Sequence, residues 1–324
     1  MKRTVNILLA VMLSWSAFGQ GTESSELRVA ATSEAALAFS RVGHSPAIEA
    51  MGGAGLLSTN SFAWASYYNP AAVPFASKKA DFAVSYNTWR PSASNYVNIG
   101  GSYNINDKVG VTVGATLGMG KPTTITDGFG TDAGHFRPMD YQFNLGAAYR
   151  FVEWVSAGVN VRYIAQKLFT DVRQGTVATD VYFMGKYEGI KATIGFDSLG
   201  GRVKDLAGRK WNIPSSLTFA LGYETTLWDA HGIEAEVRGD YYFIEDRAVV
   251  NNPFCLSMGA AYSFKFITAR LGYHYGAESS VMPSFGAAGL TLRIADIHID
   301  AMYYIAKEGS PLKNNLSFGL GYSF

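Results

Sequence analysis

Leu316-Ser317-Phe318-Gly319-Leu320-Gly321-Tyr322-Ser323-Phe324 is the stretch whose reading decides the fold. In an extended strand successive side chains point to opposite faces, so Leu316, Phe318, Leu320, Tyr322 and Phe324 share one face. Only serine and glycine occupy the other. A half-buried strand of a soluble sheet would read this way, and so would a strand of a membrane barrel with its apolar face toward lipid.

Working back along the chain, the same alternation recurs. It runs through residues 82–87, 97–104, 109–117, 141–150, 155–163, 179–187, 190–196, 217–223, 233–241, 256–264, 267–275, 288–294 and 297–303. With 316–324 this predicts about fourteen strands, most near the nine to eleven residues that a tilted membrane strand needs. Connection lengths add independent information. Short links near residues 106–107, 152–154, 187–189, 225–231, 264–265 and 295–296 alternate with longer ones at 118–138, 166–175, 198–215, 244–253, 276–282 and 307–313, and only the link at 90–94 is a brief member of the second set. A soluble sandwich gives no reason for that rhythm. An outer-membrane barrel does, because its periplasmic turns are short and its external loops long. The expected fold is therefore all-β: a transmembrane antiparallel β-barrel of about 14 strands, with both termini periplasmic. Tyr, Phe and Trp at strand ends, including Trp89, Trp154, Trp211 and Trp228, suit interfacial girdles.

Composition agrees. Charged residues make up 16% of the 324-residue chain, against about 25% in soluble domains. The formal net charge of +1 gives no long-range attraction for nucleic acid. Lys2 and Arg3 precede an apolar run at residues 5–13, and Ala17-Phe18-Gly19 offers small residues before Gln20, the pattern of a cleaved export signal. The single Cys255 cannot form an internal disulfide. The chain thus divides into a signal peptide at 1–19, an irregular segment rich in small residues at 20–79, with a short helical stretch expected at 34–40, and the barrel at 80–324.

If the apolar faces meet lipid, the alternate positions line the lumen. They carry both charge signs in similar number, among them Arg150, Arg162, Asp180, Lys191, Asp197, Glu236, Arg238, Asp240 and His274. Such a mixture predicts a cross-linked polar interior rather than a strongly ion-selective pore. Large apolar residues are few on these rows, Phe266 and Met302 being exceptions. Arg293, Asp296, His298 and Asp300 fall together at the periplasmic end, where a salt-bridge cluster could hold the N-terminal segment. The Asp-x-His-x-Asp spacing is a weak metal signal. No Ser/His pairing or phosphate loop is apparent, so neither an enzyme nor a cofactor is expected.

Met51-Gly52-Gly53-Ala54-Gly55 and the later Tyr68-Asn69-Pro70-Ala71-Ala72 carry a resemblance. Together they resemble the FadL-type superfamily of outer-membrane proteins, and more closely its PorV/PorQ branch, typical of Bacteroidota. Family members usually have Gly after Asn-Pro-Ala, where this chain has Ala72. The resemblance implies an N-terminal hatch inside a fourteen-stranded barrel. It also implies one of two roles: a non-enzymatic accessory barrel associated with type IX secretion, acting through contacts with secretion-system proteins, or a FadL-like passive channel for small hydrophobic molecules. In the second role the hatch would move and a wall kink, expected at Gly118 and Gly120, would open sideways. Outer-membrane lipid is the surrounding partner in either role.

Overall fold

The computed structural model describes residues 37–89, 94–126, 132–167, 173–204, 210–228, 230–243, 253–276, 282–308, 310 and 312–324. The expected export signal lies outside them. Fourteen strands form one closed antiparallel barrel. They are β1 (Ala80–Trp89), β2 (Ser94–Asn106), β3 (Val109–Met119), β4 (Met139–Val152), β5 (Val155–Lys167), β6 (Arg173–Tyr187) and β7 (Ile190–Gly200). The second half comprises β8 (Ser216–Leu227), β9 (His231–Tyr242), β10 (Phe254–Phe264), β11 (Ile267–Tyr275), β12 (Phe285–Ile294), β13 (Ile297–Ile305) and β14 (Leu316–Ser323). Each strand pairs with its sequence neighbours. β14 closes the ring on β1, with Asp81 opposite Ser323 and Asn87 opposite Ser317.

The alternation read from sequence is the alternation of exposure. Phe82, Val84 and Tyr86 face outward on β1, as do Phe318, Leu320 and Tyr322 on β14, while Ala83, Ser85 and Ser317 are buried. The outward rows of all fourteen strands make one continuous apolar belt, far beyond the few hundred Å² a soluble protein exposes. Lipid is the solvent that fits it. Closure leaves no unpaired strand edge, as the hydrocarbon layer requires. Aromatics gather at both margins: Tyr149, Phe151, Trp154, Tyr187 and Trp228 by the short turns, and Tyr86, Tyr163, Tyr273 and Tyr303 toward the long connections.

Five of the short links are two residues long, and three of these hairpins are closed without a register shift beside them by the pairs Tyr187 and Ile190, Phe264 and Ile267, and Ile294 and Ile297. Their first turn residues, Glu188, Lys265 and Ala295, are left-handed, with φ of 51°, 53° and 53°. That geometry matches the strand twist. It also corrects one lumen assignment. Phe266 is the second residue of such a turn and is 53% exposed, because alternation stops at the hairpin. Met302 does face inward and is buried.

Two small ribbons extend the long connections, pairing Thr123–Thr126 with Asp132–Phe136 and Val203–Lys204 with Lys210–Trp211. From residue 38 to 76 the chain fills the lumen in short turns. A 3-10 turn spans Ala38–Arg41, and residues 34–36 of the helix expected at 34–40 lie outside the described residues. The four-residue helix Pro46–Glu49 lies against β12, β13 and β14, and the 3-10 turn Gly55–Leu57 against β7, β8 and β9. Phe62–Trp64 packs on β1 and β2, and Pro70–Phe75 on β2 through β6.

Candidate functional site: the filled lumen

Space and hydrogen bonding explain the Met51-Gly52-Gly53 turn. Gly52 and Gly53 have φ of +69° and +79°, which L side chains rarely adopt. The turn also presses on the wall. A Cβ on the inward Gly272 would stand 1.9 Å from the Met51 carbonyl carbon, and one on Gly259 would stand 2.4 Å from its oxygen. Backbone meets backbone there. Arg238 fixes the same turn by donating to the Gly53 carbonyl at 3.1 Å. Just beyond, Leu56 and Leu57 present their N–H groups to the buried Glu236 carboxylate at 2.8 and 3.1 Å.

Asn69-Pro70-Ala71 acts as the start of a 3-10 helix. The Asn69 side-chain oxygen accepts from the Ala71 N–H at 3.0 Å, and Pro70 fills the first helical position, where no N–H is needed. The Asn69 amide donates to the Leu56 carbonyl at 3.3 Å, tying two turns together. Ser156 donates to the Ala71 carbonyl at 2.6 Å. Ala72 is buried against Leu56, Leu57 and Tyr182, so a methyl group is accommodated there.

Further wall contacts ring the segment. Asn144 and Asn160 both donate to the Ser66 carbonyl, at 3.1 and 2.8 Å, and Ser102 donates to that of Phe62 at 2.7 Å. Arg41 pairs with Asp197 at 2.7 Å. The buried Arg162 holds both Asp180 and Asp197 and donates to Ser198 Oγ at 2.6 Å. Deep in the segment Glu49 receives the hydroxyls of Tyr68 at 2.9 Å and Tyr304 at 3.1 Å. Burial raises the Glu49 carboxyl above its ordinary value, although both hydrogen bonds oppose the shift. His44, stacked 4.1 Å from the Tyr67 ring, is lowered to about 3 by burial and by the Arg162 charge.

The four residues expected at the periplasmic end divide their work. Arg293 stands opposite His298 in register but donates to the Asn60 carbonyl at 2.9 Å. Asp296 pairs with Lys78 at 2.8 Å, with both side chains partly exposed. His298 bridges two carboxylates, Asp81 at 3.2 Å through Nε2 and Asp300 at 3.0 Å through Nδ1. Asp81 in turn accepts from the Ala63 N–H at 2.9 Å. Sequence reasoning did not single out Asp81, which lies 217 residues from its partner. Among the described residues no group of acid, histidine and cysteine side chains is arranged to hold a metal.

At Gly118 the strand pairing is unbroken. β3 is paired with β2 and β4 without a register shift from Val111 to Met119, so no gap opens at this height. The missing side chain instead makes room for the Tyr96 ring, which a Cβ would meet at 2.4 Å. Gly120, just past the strand, donates to the Pro138 carbonyl at 3.0 Å. It lines an open pocket of about 610 Å³ at the long-connection end of the barrel together with Trp89, Met119, Pro122 and Arg137.

Below that pocket lies an apolar niche that sequence reasoning missed. Leu37, Phe39 and Val42 pack against Tyr96, Ile164 and Ala178 of the wall and against Val203 and Ile213 of a long connection. Trp89 touches the niche and also lines the open pocket. A second internal space, of about 70 Å³, is lined by polar groups including Arg41, Glu49, Arg238 and Asp240. Val42 lines both, so the polar space adjoins the apolar niche.

No family model matches the chain, and no curated protein matches it either. Solved structures do. The Pseudomonas putida toluene transporter TodX superposes with a TM-score of 0.60 at 13% identity, covering 87% of this chain and 98% of that one. This chain is built on the same barrel. The Ralstonia pickettii toluene transporter TbuX gives 0.57 at 12% identity, and the CymD monoaromatic hydrocarbon channel 0.59 at 13%, with the same two coverages. At these identities the likeness is one of fold, extending over nearly the full length of each neighbour. These neighbours are transport proteins rather than enzymes.

Proposed function

We propose that the protein is a passive channel of a bacterial outer membrane for small hydrophobic molecules, with residues 38–76 as its hatch and both termini in the periplasm. The observation that carries this reading is the apolar niche under the outer connections. The chain's own Leu37, Phe39 and Val42 fill it, and Trp89 links it to the 610 Å³ outer pocket. A small apolar ligand can replace those side chains like for like, with little change in the area removed from water. Replacing the polar contacts of residues 51–71 would require water to reach them. The likeness in fold to toluene and monoaromatic hydrocarbon channels supports the same direction.

Uptake of labelled toluene by cells that lack comparable channels tests it. Expression of the protein should raise uptake, and Phe39→Ala, which empties part of the niche, should raise it further. Uptake indistinguishable from cells carrying an empty vector would exclude the channel.

One observation favours the accessory-barrel reading of the PorV/PorQ kind. The wall is continuous at Gly118 and the lumen is cross-linked by Arg162, Arg41 and Arg238. In that reading the outer ribbons contact secretion-system proteins and the barrel conducts nothing. Specific co-purification of such proteins, with toluene uptake unchanged, would select it.

A further inference from the structure

The outward rows of β4, β5 and β6 end in cations. Lys167 at the end of β5 and Arg173 at the start of β6 are direct cross-strand partners on the lipid-facing side. Met139 of β4 is the other neighbour of Lys167, and Arg137 lies two residues beyond it. Lys121 lies two residues past Met119, which pairs with Met139. Like charges directly opposite each other on a sheet repel. Among the described residues none of these four has a carboxylate partner; the Lys167 ammonium lies 5.6 Å over the Phe136 ring. Arg137 and Arg173 are exposed. An anion placed among them would relieve that repulsion.

The height of the cations indicates which anion. Lys167 is twelve residue steps from Val155, beside the aromatic girdle at Trp154. Twelve steps span about 40 Å along a strand and about 30 Å along the membrane normal at a tilt of about 40°, against an apolar band of about 25 Å. The cations therefore stand just above the hydrocarbon, at headgroup level. Below them Tyr163, Val161, Val177 and Phe143 are exposed toward the acyl region. On the opposite side β11 and β13 are only nine residues long and end at Tyr275 and Ile305, and the outward row beyond β13 carries Lys307 without a cationic cross-strand partner.

We propose that the outer end of β4–β6 is a docking site for a phosphorylated lipid of the outer leaflet. Phosphate groups would sit between Lys167, Arg173 and Arg137, and acyl chains would lie on the aromatic and aliphatic rows beneath. The inference rests on the outer-membrane orientation in the reading above, but not on transport, so either can fail alone.

The test uses the full-length protein in detergent, with bis-phosphorylated lipid A, its dephosphorylated form and inorganic pyrophosphate as probes. Binding is read by native mass spectrometry and folding by heat-modifiable gel mobility. The parent should retain the phosphorylated lipid selectively. Lys167→Gln combined with Arg173→Gln should weaken that binding about thirtyfold, about fivefold per charge removed. Arg137→Gln alone, a second variant outside the strands, should cost about fivefold, and Lys307→Gln on the far side should change nothing. Equal binding of the dephosphorylated lipid, unchanged binding by the variants, or pyrophosphate binding as tight as that of the lipid would overturn the proposal.

Discussion

Residues 37–42 and residues 51–71 both fill the lumen, yet different forces hold them. The later stretch is fixed by directed contacts: Glu236 on two N–H groups, Asn69 capping its own turn, Arg238 on Gly53, and backbone against the Gly272 wall. The side chains of Leu37, Phe39 and Val42 are held by apolar packing, apart from the Arg41 anchor between them. A buried polar group that loses its partner is left desolvated, and each such loss costs about 1–3 kcal/mol. An apolar side chain that yields its place to another apolar group loses little. The lumen therefore has a stiff half and an exchangeable half, and the exchangeable half adjoins the outer pocket.

The contrast can be broken first at its strongest point. Arg162→Ala leaves Asp180 and Asp197 buried without their shared cation, a loss of about 3–5 kcal/mol by comparison with other broken buried pairs. The expected result is a large fall in the unfolded-to-folded mobility midpoint on heating. Gly272→Ala acts more locally, because its new methyl group would collide with the Met51 carbonyl and the Gly52 nitrogen. It should unseat the Met51–Gly52 turn at about 1–3 kcal/mol and expose residues 51–57 to protease while the barrel stays folded.

Acidity separates the halves next. A buried neutral His44, lowered to about 3, favours the folded segment above its ordinary pKa of 6.5, and that stability is lost as pH falls from 6.5 toward 3. Glu49 works in the opposite sense. Its raised carboxyl favours the folded segment below 4.5 and loses that advantage as pH rises above it. In Glu49→Gln only the histidine remains, so protection of residues 43–50 against hydrogen exchange should weaken by up to about 1.4 kcal/mol between pH 6.5 and 5.5. Protection that rises instead would contradict the assignment. The smallest effect is expected from Asn69→Ala, which removes one cap and should cost about 1 kcal/mol, read as faster exchange at Ala71.

Much of the barrel was legible in sequence because a period of two is imposed residue by residue, wherever one face meets lipid and the other does not. All fourteen strands show it, and the alternation of short and long connections carried the topology. The outer ribbons were not legible, since strands as short as Val203–Lys204 hold no period. The packing at Gly118 was hidden for a related reason. A glycine marks missing volume, and only the structure reveals that the Tyr96 ring occupies it. The anchors Glu236, Arg238 and Arg162 stood among the inward charges, but their partners are backbone groups of the lumen segment or carboxylates on nearby strands, which the sequence does not pair. The niche was hidden more completely. Leu37, Phe39, Tyr96, Ile164 and Ile213 come from separate stretches, and none is unusual where it stands.

The most direct test of a stiff and an exchangeable half is fluorine NMR with 4-fluorophenylalanine at Phe39 or at Phe62, titrated with toluene in detergent. Both rings are buried and both belong to the lumen segment. Saturable shift or exchange broadening at position 39, with position 62 unchanged, is the predicted result. No response at 39, or the same response at both positions, would contradict it.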